Sequence, residues 1–179
     1  MAELLVKPAS GAVVHDITPQ SAGWGHVGFG LHDLAAGGVI DGIGDGNEIC
    51  IVLLSGAVSV SAGDVDFGHI QGRGSVFDEV PAHAFYVPMQ TTWKVEATTA
   101  SEVAICRAPG IDGVHPPRHI TPDSMSLETR GSGANTRHVC NILPETEPAD
   151  SLLVVEVTTP SGNWSSYPPH KHDTDDLPH

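Results

Sequence analysis

Two histidines near the end of the chain, His170 and His172, are separated by one residue and follow the pair Pro168 and Pro169. In an extended backbone, residues i and i+2 project from one face, so the two imidazoles would lie side by side and Lys171 would point away. Such a pair is half of a typical transition-metal site. The prolines stiffen the approach and donate no ladder hydrogen bond. Trp164 and Tyr167 add apolar bodies with polar tips. By spacing alone the string reads equally well as an exposed, acidic, His-rich tail. Asp173, Asp175 and Asp176 either join a ligand set or cap and solvate the strand end.

The longer string, from Ser165 through Tyr167, Pro168, Pro169, His170, Lys171 and His172 to Asp173, followed by Asp175, Asp176, Leu177 and Pro178, resembles the signature of the 5-deoxy-glucuronate isomerase family. These are bicupin enzymes of bacterial myo-inositol catabolism. Gly74 to Asp78, Pro81 to Pro88 and Arg137 to Glu145 resemble the same family. The resemblance implies an all-β fold, a cupin (bicupin) double β-barrel. It implies conversion of 5-deoxy-D-glucuronate to 2-deoxy-5-keto-D-gluconate, an aldose–ketose isomerisation. It also implies a divalent metal ion (zinc, manganese or iron) held by His170 and His172, with a glutamate and a histidine further downstream. The chain stops at His179 before either appears. The expectation is therefore a second barrel cut short, which would associate through its open sheet edge as a homo-oligomer or leave its last third poorly ordered.

That chemistry needs a Lewis acid at the carbonyl, a means of moving hydrogen between adjacent carbons, and a cation for the substrate carboxylate. Arginine is the natural clamp because its planar fork pairs a carboxylate at two points. Arg118, Arg130 and Arg137 are the candidates, since they lie in or beside the segment joining the barrels. No catalytic base is identifiable. A non-catalytic cupin that binds a metal or sugar acid, another cupin isomerase, and a metal oxygenase are the competing functions.

Composition narrows the classes. With 179 residues, 8 Lys and Arg against 22 Asp and Glu, and a net charge of -14, a nucleic-acid partner is not expected. The expected partner is a small sugar acid. No apolar run approaches membrane-spanning length and no basic leader precedes an apolar stretch, so a cytoplasmic protein without a membrane partner is expected. Cys50, Cys106 and Cys140 are odd in number and widely spaced, as free thiols would be.

The elements that must position these residues read as short strands. Twenty Gly and 14 Pro suit tight turns. Strands are expected over residues 27–34, 48–54, 58–61, 85–88, 93–97, 102–106, 137–143 and 151–158, with shorter edge strands near 4–6 and 12–14. Residues 41–47 read as turn, not as a calcium loop, and residues 72–77 as turn and strand. The division is a first barrel over 1–108, a linker or arm over 109–135 with one helical turn near 122, and the start of a catalytic barrel over 136–179. His69 and His83 are too few for a metal in the first barrel, which is expected to be metal-free.

Overall fold

The computed structural model describes residues 5–165, and everything below concerns those residues. Thirteen strands form three antiparallel sheets. In chain order they are β1 (Val13–Ile17), β2 (Gly28–Leu34), β3 (Val39–Ile43), β4 (Asn47–Ser55), β5 (Ala57–Ala62), β6 (Val65–Gln71), β7 (His83–Val87), β8 (Thr92–Ala97), β9 (Ser101–Pro109), β10 (Arg118–Ile120), β11 (Ser126–Arg130), β12 (Arg137–Leu143) and β13 (Val154–Thr158). One six-stranded sheet runs β1-β2-β9-β4-β7-β10, and it faces a four-stranded sheet, β3-β8-β5-β6. A third sheet, β11-β12-β13, stands outside this pair. No helix among the described residues is long and apolar enough to cross a membrane.

Side-chain alternation explains the layering. On β4, Ile49, Ile51 and Leu53 point inward with Phe85 and Val87 of β7, Val103 and Ile105 of β9, and Val58, Val60, Trp93 and Val95 from the opposite sheet. These residues are almost wholly buried and form the core of a cupin barrel. The intervening residues, Cys50, Val52, Ala84, Tyr86, Ala104 and Ala108, face outward, yet they are buried too. They pack against Met125, Cys140, Ile142, Leu152 and Val154 of the third sheet and its connections. The six-stranded sheet is thus apolar on both faces, which is why β4 reads as a continuous hydrophobic run.

Two carboxylates secure this second interface. Glu48, on β4 and fully buried, accepts the Tyr86 hydroxyl at 2.8 Å and the backbone N–H groups of Asp150 (2.8 Å), Ser151 (2.6 Å) and Leu152. Glu156 of β13 accepts both ends of the Arg73 guanidinium, which also donates to the carbonyls of Leu54 (2.9 Å) and Val80 (3.0 Å).

Several sequence expectations change. Residues 41–43 belong to β3: Gly42 passes under Trp93, where a Cβ would come within 3.1 Å of the indole, so the glycine marks a close approach inside a strand. Residues 72–77 form a turn without a strand, closed by the Asp78 carboxylate accepting N–H from Gly74 (2.9 Å) and Ser75 (3.1 Å). The described part of the 4–6 stretch is not a strand. Strand β6 and the short helix α1 (Pro19–Ala22), capped reciprocally by Thr18 and Ser21, were not expected. The segment read as an arm supplies β10 to the first barrel and β11 to the third sheet, with a 3-10 turn at Pro122–Ser124.

All three cysteines are free, Cys50 and Cys140 buried and Cys106 half-buried. Burial pushes the Cys106 thiol up to about 11 and raises the other two, so all three stay protonated near neutrality.

Candidate functional site

The third sheet carries two of the three candidate arginines. Register places Arg130 of β11 opposite Arg137 of β12. Glu156 and Cys140 of this sheet turn toward the first barrel, so the alternate residues Arg137, Val139 and Asn141 project from the other face. Their register partners Arg130, Glu128, Ser126, Val155 and Val157 share that face. Asn141 donates to Glu128 Oε1 at 3.0 Å and to Ser126 Oγ at 3.1 Å. The Arg130 hydrogen bond, with that from Asn141, holds the Glu128 carboxyl below its usual range. Arg137 is only 6% exposed, and its Nη1 donates to the Asn135 carbonyl at 3.3 Å. Gly131, at φ +80°, allows the β11–β12 connection to fold over it: a Cβ there would strike the Asn135 carbonyl and lie 3.1 Å from Arg137 Nη1. The accessible part of this face is thus Arg130, Asn141 and Glu128 beside the half-exposed Val155 and Val157, with Arg137 buried beneath the connection.

Arg118 is elsewhere. On β10 it pairs with Tyr86, and its guanidinium lies over that ring at 4.7 Å. Glu147 is 4.0 Å away, and Nη1 and Nη2 are buried without a hydrogen-bond partner. It therefore sits between the first barrel and the third sheet, not beside Arg130 and Arg137. His170 and His172 lie outside the described residues. The chemistry of an imidazole pair suits zinc, manganese or iron. Among the described residues no three metal-binding side chains cluster.

Sequence reading missed three features. A cleft of about 470 Å³ is lined by Arg73 and Asp78 of the turn and by Leu127, His138, Cys140 and Glu156 of the third sheet. The His83 Nδ1 and His119 Nε2 atoms are 2.9 Å apart in the first barrel, and His119 stacks on Phe85 with centroids 4.7 Å apart. His119 went unnoticed because it lies in the segment that resembled a linker. The third feature is the Glu48 carboxylate, hidden in an apolar strand.

Burial lowers the pKa of both paired histidines, and for His119 the neighbouring His83 adds to it. The unfolded chain binds these protons at the ordinary value near 6.5 and the folded chain binds them less readily. The stability they preserve is complete above that pH and declines as pH falls below it. Urea midpoints should therefore drop on acidification from neutrality, and less steeply in His119→Gln, which keeps a polar partner but cannot titrate. An unchanged pH slope in that variant would remove the pair from the account.

The KduI/IolB family profile matches residues 4–179. The chain belongs to the KduI/IolB family. It is 50% identical over 163 residues to a 5-deoxy-glucuronate isomerase of Geobacillus kaustophilus, covering 91% of this chain and 59% of that protein. It is 43% identical to the 5-deoxy-glucuronate isomerase of Halalkalibacterium halodurans, covering 99% of this chain and 68% of that one. The crystal structure of an IolB-like protein from Salmonella typhimurium LT2 superposes with a TM-score of 0.91 at 47% identity, over 97% of this chain and 66% of that one. Protein Ylba from E. coli shares only the fold, with a TM-score of 0.54 at 15% identity. This KduI/IolB chain thus spans about three-fifths of the length of the first relatives it matches.

Proposed function

We propose that this chain carries out, or forms part of a protein that carries out, the isomerisation of 5-deoxy-D-glucuronate to 2-deoxy-5-keto-D-gluconate in myo-inositol degradation. The observation that carries the reading is its 50% identity to a protein named as that isomerase. In this reading Arg130 and Arg137, paired across β11 and β12, hold the substrate carboxylate. Asn141 and Glu128 orient its hydroxyls, and Val155 and Val157 cover its apolar edge. Arg118, half-buried with its guanidinium over Tyr86, positions the third sheet instead of touching substrate. His170 and His172 would hold a divalent metal, which when bound supplies Lewis acidity at the carbonyl and adjacent hydroxyl. The hydrogen removed from one carbon returns to its neighbour, so no external oxidant or reductant is consumed.

The test is aldehyde loss from 5-deoxy-D-glucuronate by this polypeptide, with metal analysis of the same sample. His170→Ala and His172→Ala should each lower bound metal and turnover while leaving the first barrel folded; full metal content in both would refute the ligand assignment. Arg130→Ala should raise KM about 10- to 100-fold, the loss of one charge-assisted hydrogen bond. Saturable retention of the sugar acid without product would instead identify a non-catalytic binding cupin.

A further inference from the structure

The cleft of about 470 Å³ opens on the face of the third sheet opposite to Arg130 and Asn141. Register sets Leu127 beside Cys140 and Glu156, and Thr129 beside His138 and Thr158, and all six share that face. Cys140 packs on the first barrel and Glu156 is tied to Arg73, but Leu127 is left 65% exposed. Val80, which lines the cleft from the turn after β6, is 55% exposed. Bare apolar side chains around one cleft mark a docking surface.

The cleft is also acidic. Asp78 and Glu79 line it without a basic partner among the described residues, and the lining Arg73 is taken by Glu156. Strand β11 ends the third sheet, so one edge of its backbone has no strand beside it among the described residues. An extended segment laid on that edge would place alternate side chains over Leu127 and Thr129, on the cleft side.

The chain itself carries a segment of that kind. Leu5, Val6 and Lys7 are exposed, and among the described residues none of them lies in a strand or makes a backbone hydrogen bond. In an extended backbone Leu5 and Lys7 share a face, an apolar side chain followed two residues later by a cation. The segment leaves beside β1, where Ala9 N–H donates to the Val14 carbonyl at 2.9 Å. Strands β1 and β10 are the two ends of the six-stranded sheet, and β10 leads into β11. A segment of this kind in the cleft is therefore taken from a second copy.

We propose that two copies of this chain exchange these segments. Residues 5–7 of each copy lie along β11 of the other, with Leu5 between Leu127 and Val80 and Lys7 against Asp78 and Glu79. The exchange is reciprocal, as a two-fold dimer requires. The proposal does not rest on the isomerase reading.

Sedimentation equilibrium of the 179-residue protein tests it, in about 0.15 M sodium chloride to screen long-range repulsion between acidic copies. The expected result is a dimer with a Kd on the order of 10 µM. Leu127→Asp and Leu5→Asp should each weaken it at least about tenfold, since each removes a buried apolar contact. Lys7→Glu and Glu79→Lys should each weaken it, and the two together should bind at least about threefold more tightly than either alone. A parent that stays monomeric up to about 1 mM, a dimer untouched by Leu5→Asp and Lys7→Glu, or a charge swap no tighter than its single changes would each overturn the proposal.

Discussion

Replacing Glu48 by alanine is expected to lower unfolding free energy by about 3–5 kcal/mol, because it strands several buried donors at about 1–3 kcal/mol each. Its carboxylate is fully buried and gathers the Tyr86 hydroxyl with three successive backbone N–H groups, at Asp150, Ser151 and Leu152. Alanine leaves those four donors in a cavity with no acceptor, and each unsatisfied donor is costly. Three of those donors lie just before β13, so the loss should concentrate there. Amide exchange of residues 150–152 should accelerate more than that of β4 or β9. Glu48→Gln, which retains one acceptor, should cost less than the alanine variant. A denaturant series giving under about 1 kcal/mol for Glu48→Ala would show that water replaces the carboxylate at no great cost.

Glu156→Ala should be the second most damaging change, at about 2–4 kcal/mol, below the full buried-pair figure because the glutamate side chain is 23% exposed. The arginine it neutralises is only 3% exposed, so removing the carboxylate strands a cation beside the Leu54 and Val80 carbonyls. The decisive comparison is the double variant Arg73→Met with Glu156→Leu. Apolar replacement of both partners should recover much of the loss, because the desolvation of two charges disappears with their attraction. If the double variant is as unstable as the sum of its single changes, the pair acts through shape alone.

Much of the first barrel was legible from residue types. Val58, Ser59, Val60 and Ser61 alternate as a half-buried strand must, and Trp93, Val95 and Ala97 do likewise; both stretches are strands. Strand β4 was legible as buried, but not that its outer residues are covered by a distant part of the chain. What failed did so for local reasons. Asp41-Gly42-Ile43-Gly44 has turn composition, yet Gly42 is small because Trp93 crosses it. Arg118, Arg130 and Arg137 look equivalent in sequence. Register alone puts two of them face to face and sends the third onto a tyrosine. The pairing of His83 with His119 needs β10 beside β7, a neighbourhood no periodicity signals. His170 and His172 stand out by spacing and fall outside the described residues.

The double-sided six-stranded sheet also sets an order of events during synthesis. Once residue 120 has left the ribosome, every strand of the first barrel exists, and the inner core can close. Its outer surface, Cys50, Val52, Ala84, Tyr86 and Ala104, must wait for Met125 through Val154. At roughly 5–20 residues per second the nascent chain carries that bare surface for a few seconds. In that interval it is a ready target for chaperones or for another nascent chain. A polypeptide ended at residue 108 would keep the surface bare permanently, and would be expected to aggregate despite holding a complete set of inner-core residues.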